Sequence, residues 1–122
     1  PVTNGDLVYD WELPLDGITA ETHSVLERLA PFGPENPKPV FLLSGLPLIS
    51  RRVFGPGQNH RELVFRHSTF GRMKAVQFFA PADRLPVSGG RLDLLATMEK
   101  SYWRGASELR LRLVDWREAS AD

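Results

Sequence analysis

Four prolines stand within nine residues, Pro31-Phe32-Gly33-Pro34-Glu35-Asn36-Pro37-Lys38-Pro39. Proline lacks an N–H and fixes φ, so this stretch can be neither a helix nor a central strand. It reads as a stiff, packed connector, and regular structure must form on either side of it. Phe32 and Phe41 are placed to pin it to a core. Upstream, residues 7–13 partly alternate and predict one short strand. Ile18, Thr22, Val25, Leu26 and Leu29 then fall on one helical face. Thr19 is a suitable N-cap, and Glu21 and Arg28 suit the two ends of the helix dipole. Pro31 disfavours helical geometry at Ala30 and ends the helix.

Downstream the pattern is β. Residues 40–54 form one long apolar run bent at Gly45-Leu46-Pro47, as a glycine bulge would bend it. A turn at 55–59 leads to alternation over 61–67, with Leu63 and Phe65 on one face and Glu62, Val64 and Arg66 on the other. A hairpin connection at 68–72 precedes a strand at 74–80, and residues 81–91 read as a loop with one helical turn at 82–85. Residues 92–98 alternate with Leu92, Leu94, Ala96 and Met98 on one side, 99–107 read as a polar and aromatic loop, and 108–116 alternate again. There Leu109, Leu111 and Leu113 are expected to face in, and Glu108, Arg110, Arg112 and Trp116 to face out. The fold class expected is mainly β: a five-stranded OB-fold barrel preceded by a short strand and one N-terminal α-helix. A long, bent first strand can pair in both halves of such a closed sheet. An SH3-like barrel or an open antiparallel α+β sheet accommodates the same pattern. The expected division is residues 1–39 as strand, helix and connector packed on the barrel, 40–117 as the barrel, and 118–122 as a tail.

The 122 residues are enough for one domain with its own core, and 42% apolar with 25% charged residues is ordinary globular composition. No apolar run reaches the ~18 residues of a membrane helix, so no membrane partner is expected. There is no secretory apolar segment at the start. The chain opens on Pro1 without an initiator Met, which suggests processing or a longer parent. The absence of cysteine removes disulfides, thiol nucleophiles and thiolate metal sites. The zero net charge is uneven: residues 1–38 carry two bases and seven acids, whereas 39–117 carry thirteen bases and six acids. Twelve of the fifteen bases are Arg, whose planar fork suits phosphate and stacks on rings.

Catalytic motifs are absent. The glycines at 55 and 57 precede a strand rather than a helix, so they make no phosphate-binding loop. His23, His60 and His67 lack metalloprotease spacing, and His60 and His67 fall on opposite faces of a regular strand. Asp93 and Asp115 read as turn or surface charges. No catalytic or metal-ligating residue is assigned. Binding signals are stronger. Lys100-Ser101-Tyr102-Trp103-Arg104-Gly105 gathers two rings and two cations, the combination that stacks bases and meets phosphates. Trp103 fits either that role or closure of the barrel bottom. Asn59, His60, Arg61, Arg66, His67 and Lys74 form a second group around the second and third barrel strands, the oligonucleotide face of an OB barrel. The nucleic-acid-binding set assigned is His60, Arg61, Arg66, Lys74, Lys100, Tyr102, Trp103 and Arg104. A solvated charged face is the plain alternative.

The segment Leu29-Ala30-Pro31-Phe32-Gly33-Pro34-Glu35-Asn36-Pro37-Lys38-Pro39-Val40-Phe41 resembles the pattern Leu-x-Pro-Phe-Gly-x-x-Asn-Pro-x-Pro-x-Phe that follows the nuclease core of RecJ-type single-strand-specific DNA exonucleases. Val53-Phe54-Gly55, His60, Phe78-Phe79, Leu92-Asp93, Trp103-x-Gly105 and Leu111-x-Leu113-x-Asp115 are similar to later landmarks, so the resemblance spans roughly residues 10–117. Ser101 stands where the family usually has Asn. The resemblance implies the C-terminal OB domain of a cytoplasmic 5′-to-3′ exonuclease of DNA repair and recombination. In that family the catalytic Asp-His-His motif and its Mn²⁺ or Mg²⁺ belong to a separate core, so this chain would hold no cofactor and perform no hydrolysis. Its implied partners are single-stranded DNA, which it would position, and the catalytic core. An interdomain scaffold with little DNA affinity is the second reading.

Overall fold

The chain is described from a computed structural model covering residues 2–5, 7–80, 84–87 and 89–119. The expected helical turn at 82–85 falls partly outside these residues, and so does 120–122 of the tail.

Residues before the connector form β1 (Val2–Asn4), β2 (Leu7–Tyr9), β3 (Trp11–Glu12), a single 3₁₀ turn (Leu15–Gly17) and α1 (Ala20–Glu27). The short strand expected over 7–13 is therefore broken in two. The break is at Asp10, whose backbone N–H donates to the Val40 carbonyl (2.8 Å) and whose carboxylate accepts from the Val40 N–H (2.8 Å). β3 then runs parallel to the start of the next strand. The Thr19 hydroxyl caps α1, accepting from the Thr22 N–H at 3.1 Å. The buried face of α1 differs from the apolar stripe. Ile18, just before the helix, and His23 are buried, whereas Val25 and Leu29 are exposed. The helix lasts only two turns: its Leu26 packs, partly buried, against the core, while Ile18 enters the barrel ahead of it.

The connector is fastened by its own amide. Asn36 donates from its side chain to the Leu29 carbonyl (2.7 Å) and the Pro31 carbonyl (2.9 Å), while Gly33 and Asn36 exchange backbone hydrogen bonds. This accounts for Asn between the prolines: it holds the helix end against the segment that cannot make its own ladder.

Five long strands follow: β4 (Phe41–Phe54), β5 (His60–His67), β6 (Gly71–Gln77), β7 (Arg91–Trp103) and β8 (Ala106–Glu118). β4 pairs antiparallel with β7 through its first half and with β5 through its second half. β5 pairs with β6, β6 runs parallel to β8, and β8 returns to β7. The sheet closes as β4-β5-β6-β8-β7-β4, which is the expected five-stranded OB barrel. The switch of partners along β4 is made at Gly45, in the left-handed region at φ 65°, within a register break between Leu43 and Leu46. Its N–H donates to the Asp93 carboxylate at 2.8 Å, and Arg117 donates to the other Asp93 oxygen at 2.9 Å. Asp93 is thus a buried fastener of the bulge and not a turn or surface charge.

The interior holds Phe41, Leu43, Leu63, Phe65, Met73, Leu92, Leu94, Ala96, Met98, Leu111 and Leu113, with Leu15 and Ile18 closing one end. Each fully buried large side chain stabilises by roughly 1.5–3 kcal/mol. His67 is also inside, its Nε2 2.9 Å from the Ile18 carbonyl and its Nδ1 accepting from the Thr69 and Phe70 N–H groups. It stitches the N-terminal segment to the barrel and is absent from the outer surface. Trp116 is buried as well, contrary to the simple alternation. Leu95 faces Asp115 and Ala96 faces Leu113, leaving Val114 as an extra residue, and this bulge reverses the parity of the strand. The stretch expected as a loop over 99–107 is mostly ladder. β7 and β8 pair out to Trp103 and Ala106, joined by Arg104 and Gly105 at φ 47° and 80°. Positive φ at both central residues is the two-residue hairpin geometry that follows strand twist. Similarly β6 starts at Gly71, earlier than expected.

Candidate nucleic-acid interface

Outward side chains of β4, β5, β6, β8 and β7 make one curved face. The registers Arg52↔Glu62, Glu62↔Val76 and Val76↔Arg112 form one row across it, and Val64↔Lys74 and Arg66↔Arg72 belong to the next rows. Val64 and Val76 lie buried beneath the longer polar side chains. Arg52, Arg66, Arg72, Lys74, Arg110 and Arg112 share this face with Glu62, Glu99 and Glu108, so cations outnumber carboxylates two to one. Most of these charges are paired. Arg52 donates to Glu62 (3.2 Å), Lys74 lies 3.4 Å from Glu108, and Glu99 accepts from Arg110 (2.5 Å) and Arg112 (3.3 Å). The Glu62 partner raises the Arg52 pKa further, so that guanidinium stays charged. Arg66 and Arg72 sit directly opposite each other, both exposed, with no ion pair among the described residues. Like charges opposed across a ladder destabilise it. That arrangement suits an anion bound between them.

Aromatic groups stand at both ends of the face. At the β4–β5 turn, Phe54, His60, Phe78 and Phe79 form a cluster with centroid separations of 4.7–6.1 Å. Arg52 lies 4.8 Å from the Phe54 ring and Arg112 4.6 Å from the Phe78 ring. At the other end the β7–β8 hairpin extends past the barrel, with Tyr102 and Trp103 77% and 70% exposed. Arg104 lies over the Trp103 ring at 4.7 Å. Trp103 does not close the barrel bottom. An open groove of about 420 Å³ runs between this hairpin and the barrel face, lined by Glu62, Lys74, Tyr102, Trp103, Glu108 and Arg110. A second, of about 840 Å³, lies on the other side of the hairpin against α1, with His23, Lys38, Lys100, Arg110 and Arg112. Ser101, Tyr102 and Arg110 border both.

The eight residues singled out from sequence are distributed accordingly. Lys74, Tyr102 and Trp103 share the first groove, Lys100 and Tyr102 the second, and Arg104 caps the hairpin. Arg66 is exposed on the same face, and His60 is half-buried within the far aromatic cluster. Arg61 points the other way and is only 4% exposed. Arg52, Arg72, Arg110, Arg112 and Phe79 belong to this surface and are missing from the set assigned from sequence. The outward parity of Arg110 and Arg112 was readable from alternation. Their position beside β6 required the parallel β6–β8 pairing, which joins residues far apart in sequence. Phe79 leaves the strand for a positive φ of 55°, which no alternation signals.

Among the described residues no three His, Asp or Glu side chains come together in a way that could hold a metal ion. The face's carboxylates are engaged by Arg and Lys instead. These residues do not fit a divalent-cation centre. No helix among the described residues is long and apolar enough to cross a membrane.

Residues 9–115 match the family model of the RecJ OB domain. The chain is 29% identical over 109 residues to the single-stranded-DNA-specific exonuclease RecJ of Thermus thermophilus, covering 89% of this chain and 15% of that protein. Crystal structures of RecJ from Thermus thermophilus with Mg²⁺ and with Mn²⁺ superpose with TM-scores of 0.65 at 25% identity. Each covers 89% of this chain, which spans 16% and 15% of those chains.

Proposed function

Because this chain belongs to the RecJ OB domain family, we propose that its outer barrel face binds single-stranded DNA and positions it for an exonuclease core carried elsewhere in a longer protein. The observation that carries this reading is the cation-rich face bounded by exposed aromatic groups at both ends. Cations engage the phosphates sequence-independently, and rings stack bases that a duplex would keep paired. Arg66 and Arg72, held opposite one another with no carboxylate partner among the described residues, are the first phosphate contact. Lys74, Lys100, Arg104, Arg110 and Arg112 continue the track, and Tyr102 and Trp103 supply stacking surfaces. Arg61, being buried, is left out of the contact set. The domain itself carries no hydrolytic step, and the Mg²⁺ and Mn²⁺ of the Thermus thermophilus structures belong with the core in this reading. The barrel unit is residues 40–117. Residues 1–39 are its acidic flank, and Val25 on α1 and Leu29 in the turn just after it, both exposed, suit packing against the rest of a longer protein.

The test is titration of a labelled single-stranded oligonucleotide with this chain at several salt concentrations. Arg66→Ala should weaken binding and shallow the log–log salt slope, since it deletes a phosphate contact. Tyr102→Ala should weaken binding while leaving the slope nearly unchanged, since it deletes only a stacking surface. No measurable binding by the unsubstituted chain, or no effect of either substitution, would favour the scaffold role. Incubation with labelled strand and Mn²⁺ should give no cleavage. Cleavage that copurifies with the folded chain and disappears on a point substitution would contradict a pure binding role.

A further inference from the structure

Phe79 is 78% exposed and occupies the left-handed region at φ 55°. Both facts run against its chemistry. An exposed phenyl ring adds little to a core, and a bulky residue at positive φ is strained. Glycine or asparagine would occupy that backbone more easily. The conformation is held in place by specific contacts. His60 Nδ1 accepts a hydrogen bond from the Phe79 N–H at 3.1 Å, and the two rings meet edge-on at a centroid separation of 4.7 Å with an interplanar angle of 86°. That hydrogen bond fixes the His60 tautomer, because Nδ1 must be free of its proton to accept. The next residue is anchored too: the Ala80 N–H donates to the Asn59 carbonyl at 2.7 Å. Room for the imidazole comes from Gly55, where an added Cβ would collide with the His60 ring. The glycine, the histidine and the phenylalanine therefore form one device that holds the Phe79 backbone in place and presents its ring to solvent with one edge against His60.

We infer that Phe79 is a base-stacking platform at the β4–β5 turn end of the barrel face, and that His60 is its positioning residue. This rests on the DNA-binding reading above and adds to it a nucleobase subsite at the end opposite the Tyr102–Trp103 hairpin. The ring adjoins the cluster in which Arg52 and Arg112 cover Phe54 and Phe78, so a base stacked on Phe79 would have cations nearby for its phosphate. Setting the Phe79 backbone beforehand, with the ring edge against His60, lowers the ordering cost of binding. The ligand class is any unpaired nucleobase, because every base offers a π-face.

The experiment uses this chain, a labelled single-stranded oligonucleotide and an abasic strand of equal length and charge. Phe79→Ala should weaken binding to the normal strand about tenfold, equivalent to ~1.4 kcal/mol, with the salt slope unchanged. On the abasic strand the same substitution should change affinity by less than about twofold, since the phosphates remain and the stack does not. His60→Leu, which removes the acceptor, should weaken normal-strand binding in the same way but add little in a Phe79→Ala background, because it acts through that ring. His60→Asn, whose side-chain oxygen can take the place of Nδ1, should restore much of the loss. Phe79→Gly should lose binding without lowering the melting temperature, which separates a ligand role from a packing role. If Phe79→Ala binds within twofold of the original while Arg66→Ala still weakens binding, the platform is refuted and the DNA-binding reading stands. Equal losses on normal and abasic strands would also refute it. If the original chain binds no strand, both readings fall together.

Discussion

Replacing Leu111 with alanine should be among the most damaging single substitutions in this barrel. Leu111 is fully buried and lies on β8 between Ala75 of β6 and Met98 of β7. The change removes about three methyl or methylene groups at ~0.8 kcal/mol each, roughly 2.4 kcal/mol of transfer free energy. A cavity term is added because the surroundings relax only partly, and the full range for such changes is ~2–5 kcal/mol. Ala75 is too small to fill the space, whereas the Met98 side chain is flexible enough to move into some of it. A loss of about 3 kcal/mol is therefore expected, which lowers the melting temperature of a domain this size by roughly 10–15 °C. Val114, the exposed bulge residue of the same strand, is the control, and Val114→Ala should change stability by less than about 0.5 kcal/mol. Thermal melts by circular dichroism provide the comparison. A Leu111→Ala melt that overlays the original, or one no lower than that of Val114→Ala, would show that the inward face of β8 has been misassigned.

Glu99 restrains both Arg110 and Arg112, so Glu99→Gln should free two guanidiniums and raise the charge of the face by one. Single-strand affinity at low salt should rise about fivefold, from a Coulomb term of ~1 kcal/mol at 4 Å in water, and the salt slope should steepen by up to about 0.7. Oligonucleotide titration reads both, and unchanged or weaker binding would count against these arginines as phosphate contacts. The His23 pKa lies below its ordinary 6.5, chiefly through burial, with Lys100 and Lys38 lowering it further and Glu27 opposing. The unfolded chain then takes up a proton that the folded chain resists, so stability contributed by His23 is present above pH 6.5 and is lost as pH falls below it. Melting temperatures from pH 7.5 to 5.5 should decline less in His23→Gln than in the original chain, and identical declines would refute the assignment.

Much of the barrel was legible because its strands obey period-two alternation. Leu92, Leu94, Ala96 and Met98 all point inward as their spacing predicts. The bend of β4 was readable from Gly45, because a positive φ there is cheap only for glycine. What alternation misses is its own interruption. Trp116 turned inward because one extra residue at Val114 shifted the parity, and no local feature of the sequence demands that bulge. The helix stripe is buried only in part, at Ile18 and Leu26, for a different reason. Periodicity treats a helix as if its own stripe decides what it buries, while here Ile18 and the His67–Ile18 hydrogen bond orient the segment before α1 begins. At the candidate interface, residues local in sequence such as Tyr102, Trp103 and Arg104 were visible as a cluster. The opposition of Arg66 to Arg72, and the approach of Arg112 to Phe78, depend on strand pairing and became visible only with the fold.

The proposed function has the curved cationic face receive a single strand, with phosphates on its cations and bases on its rings. Its most direct measurement is the affinity of this chain for one labelled sequence as a single strand and as a duplex, across a series of salt concentrations. Stacking requires released bases, so the single strand should bind more tightly at every salt concentration. If roughly three phosphates are engaged, its log–log salt slope should be about −2, at ~0.7 per phosphate. Equal affinity for duplex and single strand, or a slope near zero, would contradict the claim.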